Sequence, residues 1–500
     1  MERAPRTALA CLGLVAAAVA LARVPTLWGT IQDDGFIYFR IAENVARGLG
    51  PVFNPGDRVD AATSPVWVWL LALAARFGAP LPLAATLLGL GCAIGAVLLA
   101  GRWALEVARP RSVPALLLAL AGPLLLATDP RFLLYAFSGM ETSLAALTWI
   151  WATRLLVRHW LQNEKEPQAG WAALAACLVR PEYVVFLVGL AVVALLRRTS
   201  PPATLGRSLL PLFAGGVAYL ALHTLYFGDP LPNTYYAKRA ADWTHVRIGL
   251  AYLRDLPATY PALLFAFLAL AQPELRRLGA AWTVGVVLYS AHIMSLGGDH
   301  FVFHRPYILV LPMALALAGA TAARIWSTRP APMRVATAAV ALAALLVTAR
   351  TPLPAGAFAW VRLAGQLGHA LARTYPPETR VGLFAIGATG YTSRLPVVDA
   401  LGLADRHVVK SDLSKEHSCA LDIGHERGDP AYVLEQSDVV VLFGAYAPIR
   451  FESLDEVRQG FYSHKKFLVA AREAVEARRY RLRDLEFAPG AHWAVLEKVR

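Results

Sequence analysis

Apolar runs of membrane-crossing length recur through the first 350 residues, and nothing else in the chain limits its fold as much. A helix needs about 20 mostly apolar residues to cross a bilayer, with about 17–25 tolerated. Candidate runs cover 8–29, 65–77, 82–101, 112–128, 142–160, 169–180, 182–197, 208–226, 258–272, 279–296, 306–323 and 335–350. Several are too short to cross unaided. These are expected to be broken, re-entrant or buried, because non-helical backbone at membrane depth must be covered by protein. Composition agrees: 57% of the 500 residues are hydrophobic and 17% are charged, against about 45–50% and 25% in soluble domains. The first run follows Arg3 and Arg6 and has the outline of a signal peptide. Its length, and the spans after it, predict a retained helix.

The charge pattern orients these spans. The formal net charge is +13, and the surplus arginine sits in short loops such as "RRTSPPATLGR" and "ARPR". That is the positive-inside pattern. No basic cluster with interleaved aromatics appears, so no nucleic-acid partner is expected. The four cysteines, Cys11, Cys92, Cys177 and Cys419, form neither a disulfide framework nor a CxxC site. Loops 102–111, 154–165, 197–207, 276–277 and 324–334 are placed on the cytoplasmic side with the N-terminus. The other side then carries "DDGFIYFR", "SGMET", "RPEY", "NTYYAK", "GGDHFVFHR" and everything after residue 350. That layout needs an odd number of crossings, so one segment within 65–101 is expected not to span.

Beyond residue 351, prolines at 352, 354, 376 and 377 interrupt the apolar pattern, and charges become frequent. "RVGLFAI", "LPVVDAL", "DVVVLFG" and "HWAVLEKV" read as strands, and 453–480 as one or two helices. The expected organisation is a transmembrane part, 1–350, and a small extracytoplasmic α/β domain, 351–500. "GATG" (387–390) reads as a turn rather than a dinucleotide fingerprint.

The informative residues are the polar islands, because ionisable groups near membrane helices are paired or functional. In the first loop, 30–64, Ile37, Ile41 and Val45 fall at helical spacing. "GFIYFRIAENVARG" therefore predicts an interface helix with Tyr38 and Phe39 at headgroup depth. Asp33 and Asp34 would precede or cap its first turn. The other islands supply Glu141, Arg180, Glu182, Asn233, Tyr235, Tyr236, Lys238, Asp299 and Arg305. Each has a plain structural alternative: Arg180 with Glu182 as an ion pair, Lys238 as a snorkelling lysine. His300 and His304, with Asp299, fit either a metal site or a helix start. Taken together, carboxylates suit a general base acting on a hydroxyl, cations suit a phosphate leaving group, and aromatic faces suit sugar rings. The spans leave room for a lipid tail.

These motifs resemble the bacterial membrane glycosyltransferases of the C-type fold. The resemblance is to the cell-wall arabinofuranosyltransferase-like group, which also includes flagellar motor-control proteins. In the first loop it rests on Asp33, Asp34, Ile37, Arg40, Asn44, Gly48, Gly50, Asn54, Pro55, Gly56, Val59, Thr63, Pro65 and Trp67. "SGMET", "RPE", "PNTYYAK", "GGD" with Arg305, and "DALGLAD" (399–405) follow in order. Two departures stand out. The family's "EGYT" is "DAAT" here, moving the acid to Asp60, and "HFVFH" replaces the usual segment after "GGD".

The resemblance implies an α-helical polytopic fold with about 11–13 membrane helices in a bacterial inner membrane. It implies transfer of a sugar, of the arabinofuranosyl-type pentose class, from a polyprenyl-phosphate donor to an envelope glycan or lipid acceptor at the outer face. Inversion of the anomeric centre is the expected outcome. Asp33 or Asp34 would be the base, with a slight preference for Asp33, and the other would orient the acceptor or bind a divalent cation, the one candidate cofactor. Arg40, Lys238 and Arg305 would hold the donor phosphate. Asn44, Asn54, Thr63, Glu141, Arg180, Glu182, Asn233, Tyr235, Tyr236 and Asp299 would line the sugar or acceptor pocket. A transporter, or a non-enzymatic envelope or motor regulator, is the alternative.

Overall fold

The structure is a computed structural model that describes residues 3–237, 243–352, 356, 358–411, 427–447, 452–456 and 462–499. Among the described residues five helices are long and apolar enough to cross a membrane: Pro5–Leu27, Leu81–Ala108, Pro202–Phe227, Arg276–Ser295 and Ala331–Thr348. Three helix pairs bent at a break each make either one further broken span or a re-entrant loop. Val113–Thr128 joins Pro130–Phe137 at 49°, Trp243–Thr259 joins Ala262–Ala271 at 82°, and Val302–Ile308 joins Leu311–Thr328 at 70°. Pro65–Arg76, Ala169–Val179 and Tyr183–Leu196 are shorter apolar helices. The chain is a multi-pass membrane protein, and its helices follow the apolar runs.

The first bend has a local cause. Asp129 ends one helix and its carboxylate accepts from the N–H groups of Arg131 and Phe132, capping the next, whose first residue is Pro130. Pro65–Arg76 has 12 residues and is thus about 18 Å long, short of the roughly 30 Å hydrocarbon core. Its Trp67 and Leu71 are fully buried. Helix contact in lipid depends on close backbone approach. Gly122 and Gly319 supply it where Val113–Thr128 crosses Leu311–Thr328: a Cβ on either would overlap a carbonyl of the other helix.

The C-terminal part holds a five-stranded mixed sheet in the order β2-β1-β3-β5-β4. Its strands are β1 (Val381–Leu383), β2 (Val397–Asp399), β3 (Val439–Ala447), β4 (Tyr480–Ala488) and β5 (Ala491–Lys498). β1 pairs in parallel with β2 and β3, and β5 runs antiparallel to β3 and β4. β1 and β2 fall within two of the expected stretches, and β3 and β5 overlap the other two, β3 running three residues further and β5 starting one residue earlier. β4 and the amphipathic helix Ala359–Thr374 were not expected, and "GATG" opens the helix Gly387–Ser393 instead of a turn. One apolar cluster joins Ile37, Phe39, Ile41 and Trp67 to Leu367, Leu383, Val397 and Val440.

Candidate active site

The first loop begins with the helix Asp33–Ala46, which carries both acids in its first turn behind Gln32. The two acids have different surroundings. Asp33 caps a distant helix: its Oδ2 accepts from the Gly387 N–H at 2.9 Å and its Oδ1 from Ala388 N–H at 2.8 Å. Gly387 is required there, because a Cβ would overlap the Asp33 backbone carbonyl. Burial pushes the Asp33 carboxyl up to about 6 against the two N–H bonds, and the neighbouring Asp34 charge adds to the rise.

Arg40 and Glu43 continue this docking. Arg40 donates to the carbonyls of Phe53 (2.9 Å), Gly390 (2.6 Å) and Leu395 (2.9 Å) and to Asn54 Oδ1 (3.2 Å). Glu43 accepts from the Tyr391 hydroxyl at 2.6 Å and pairs with Arg394. Where the resemblance gives Arg40 to a donor phosphate, the structure shows its guanidinium donating to main-chain carbonyls and Asn54. Asn44 and Asn54 are bonded to main chain in the same way. Asn44 Nδ2 donates to Val52 and Phe53 carbonyls, and Asn54 exchanges hydrogen bonds with the Val397 backbone. Tyr38 and Phe39, expected at headgroup depth, are buried in protein.

Asp34 lines a small pocket together with Tyr38, Thr63, Arg180, His300 and Arg305. "DDGFIYFR", "SGMET", "RPEY", "NTYYAK", "GGDHFVFHR" and "DALGLAD" each contribute a wall residue, the second through Met140, the fourth through Thr234 and the last through Leu403. Arg180 forks between carboxylates, with Nη1 2.8 Å from Glu141 and Nη2 2.7 Å from Glu182. Arg305 Nε donates to Asp299 Oδ2 at 2.9 Å, and its guanidinium lies 3.9 Å from the Phe301 ring centroid. Glu141, Glu182 and Asp299 thus act on the pocket through the arginines they hold.

Arg305 is aimed by a strained turn. Phe303 and His304 adopt left-handed backbone angles, φ 59° and 49°, which cost side-chain-bearing residues roughly 1–3 kcal/mol each. Two tyrosines hold the turn, Tyr135 donating to the Val302 carbonyl at 2.7 Å and Tyr260 to Phe303 at 2.8 Å. His304 turns away, its Nε2 2.8 Å from the Tyr252 carbonyl. Among the described residues no group of three or more His, Cys, Asp or Glu could hold a metal ion.

The remaining expected residues lie elsewhere. Asn233 ties three segments, its N–H donating to the Asp60 carbonyl at 2.9 Å and its Nδ2 to the Gly402 carbonyl at 2.6 Å. Tyr235 is exposed, and neither it nor Tyr236 lines the pocket. Lys238 lies outside the described residues, as does Cys419. Tyr38, Met140, Thr234, His300 and Leu403 were missed as pocket residues, although all sit within or beside the quoted motifs.

Residues 357–485 match a domain family of unknown function (DUF8728). The chain is 32% identical over 254 residues to a terminal beta-(1->2)-arabinofuranosyltransferase of Mycobacterium tuberculosis, covering 47% of this chain and 39% of that one. It is 28% identical over 333 residues to the protein of the same name from Corynebacterium glutamicum, covering 57% and 46%. It thus spans less than half the length of these curated relatives. Two solved structures share its fold. The archaeal oligosaccharyltransferase AglB from Archaeoglobus fulgidus, in complex with an inhibitory peptide and a dolichol-phosphate, superposes with a TM-score of 0.57 at 12% identity, covering 97% of this chain and 73% of that one. ArnT from Cupriavidus metallidurans, bound to undecaprenyl phosphate, gives 0.51 at 12% identity, with 97% of both chains covered. The chain has the C-type glycosyltransferase fold, and its sequence is related to that of the arabinofuranosyltransferases.

Proposed function

We propose that this protein is an inverting glycosyltransferase. It moves a sugar of the arabinofuranosyl-type pentose class from a polyprenyl-phosphate donor to an envelope glycan or lipid acceptor, at the outer face of the inner membrane. The observation that carries the reading is the convergence of Asp34 with Arg180 and Arg305 in one pocket. The sequence similarity to terminal arabinofuranosyltransferases supports the sugar class. An apolar cleft of about 540 Å³, lined by residues such as Leu118, Leu125, Leu315 and Val340, supports a lipid-linked donor. In this reading residues 1–350 form the catalytic membrane part and 351–500 an extracytoplasmic support.

Asp34 is the base. Its carboxylate takes the proton from an acceptor hydroxyl as that oxygen bonds to the anomeric carbon. The bond from that carbon to the phosphate oxygen breaks, and the polyprenyl phosphate leaves with the electron pair. Arg305 is placed to receive that charge, because its guanidinium lines the pocket with Nε on Asp299 and Nη1 on the weak acceptor Met140 Sδ at 3.8 Å, and charge-assisted bonds to phosphate are strong. Arg180 is held by two carboxylates and serves to position. Asp33 is a positioning residue, which reverses the initial preference within the pair.

The test is incubation of the protein in lipid nanodiscs with a panel of polyprenyl-phosphate sugars and envelope acceptors, with products read by mass spectrometry. Asp34→Asn is expected to cut turnover by about 10²–10⁴-fold, and Arg305→Gln to raise the donor KM and lower kcat. Full turnover in Asp34→Asn would remove it as the base. Absence of product across the panel, with a folded protein, counts against the transferase reading.

A further inference from the structure

His223 lies in the last turns of the helix Pro202–Phe227, 5% exposed, beside the first loop. Both of its ring nitrogens face acceptors. Nδ1 is 2.7 Å from the Asp229 carbonyl oxygen, and Nε2 is 2.9 Å from Asp60 Oδ2. A neutral imidazole has one N–H and one lone pair, so in either tautomer one nitrogen would oppose an acceptor with no proton between them. Only the imidazolium donates at both ends.

We propose that His223 is held as an imidazolium that latches the first loop, and with it one wall of the candidate pocket, to the end of this helix, and that loss of its proton releases that wall. Asp60 is the joint. Its backbone carbonyl accepts from Asn233 N–H at 2.9 Å, and its Oδ1 accepts from Ala62 N–H at 2.9 Å. Thr63 and Thr234 hydroxyls meet at 3.2 Å. Ala61, Thr63, Thr234 and Leu403 all line the pocket. Fixing Asp60 therefore fixes the strip where the first loop, the "NTYYAK" segment and "DALGLAD" meet.

The surrounding charges leave this role to His223. The Asp229 carboxylate pairs with Arg406 at 3.2 Å and Lys410 at 3.6 Å. Arg406 also donates to the carbonyls of Arg58 and Phe227. The Arg58 guanidinium lies over the Tyr226 ring at 5.2 Å. Tyr219 and Phe227 flank the imidazole, with ring centroids at 5.7 and 4.6 Å. Among the described residues no arginine or lysine pairs with Asp60, whose side chain is 11% exposed. Deprotonation of His223 leaves either that carboxylate or the Asp229 carbonyl buried against a lone pair, which is costly. The latch follows from geometry alone, while its effect on transfer rests on the glycosyltransferase reading.

The test is amide hydrogen exchange of the full chain in nanodiscs from about pH 6 to pH 9, comparing wild type, Asp60→Asn and His223→Gln at each pH. Comparison at equal pH cancels the intrinsic exchange rate. An asparagine amide can donate to a neutral Nε2, so Asp60→Asn removes the need for charge while keeping both hydrogen bonds. Protection of residues 57–64 in wild type is expected to fall about tenfold relative to Asp60→Asn as pH rises. In His223→Gln these residues should be poorly protected throughout, with the helix Thr142–Leu161 unchanged as a folding control. Wild type tracking Asp60→Asn over the whole range overturns the proposal, and so does wild-type protection in His223→Gln. Transfer assays on the same samples should show an alkaline loss in wild type that Asp60→Asn lacks. If no sample transfers sugar, the activity reading fails while exchange still decides the latch.

Discussion

One peptide bond separates two carboxylates with different partners. Asp33 is tied to the N-terminus of Gly387–Ser393 and Asp34 to the pocket. Burial sets the pH behaviour of the first. The Asp33 carboxyl rises from 3.8 to about 6 in the folded protein, so the folded state binds this proton more tightly than the unfolded state. Its contribution to stability is fully present below about pH 4 and is lost as pH rises through 6, a change on the order of 3 kcal/mol. Asp33→Asn has no proton to lose. The stability of Asp33→Asn minus that of wild type should therefore climb from pH 4 to pH 6 and then level off, in thermal unfolding of detergent-solubilised protein. A flat difference over that window contradicts the assignment. Asp399, in "DALGLAD", is pushed up to about 7 by burial against N–H bonds from Ala404 and Leu401. Its effect has the same sign and cancels in the comparison.

At the scale of elements, the helix Asp33–Ala46 works as a docking bar: Asp33, Arg40 and Glu43 all grip the segment 387–395. A lysine cannot reproduce the guanidinium fork, so Arg40→Lys strands buried carbonyls. It should cost about 1–3 kcal/mol, the penalty of a buried acceptor left without its donor, and lower the melting temperature. The donor KM of the folded fraction should not change. A raised donor KM at unchanged stability would restore the phosphate role first read for Arg40. The contact of Arg40 with Gly390 spans 350 residues, and sequence carries no local trace of it. What is local was legible: the spans appear as apolar runs, and the first-loop helix as a periodicity over 35–48, near its observed bounds. β4 escaped because Arg481 and Arg483 interrupt its apolar pattern. Both pair with Glu497 on β5, a match visible only once the strands lie side by side. The pocket was half legible, since the motifs that build it were read but not which side chains turn inward.

At the scale of the whole molecule, the membrane and C-terminal parts share a core. Phe39 and Trp67 are completely buried in the cluster that also holds Leu367, Val397 and Val440. A fully buried aromatic is worth roughly 2–3 kcal/mol relative to exposure, so separating the parts would uncover several such contributions on both sides. The Asp33, Arg40 and Asn54 bonds would be lost with them. Cooperative unfolding of the two parts follows from this sharing. In a denaturant series read by hydrogen exchange, the segments around Trp67 and around β5 should lose protection at the same midpoint. The fragment 357–500 made alone should bind a hydrophobic dye and self-associate, since its docking face has no cover. Two separated midpoints, or a monomeric fragment that leaves the dye dark, would show that the C-terminal part stands on its own. The helix bearing Asp34 would then owe its position to the membrane part alone, and Arg40→Lys should leave the geometry of the pocket untouched.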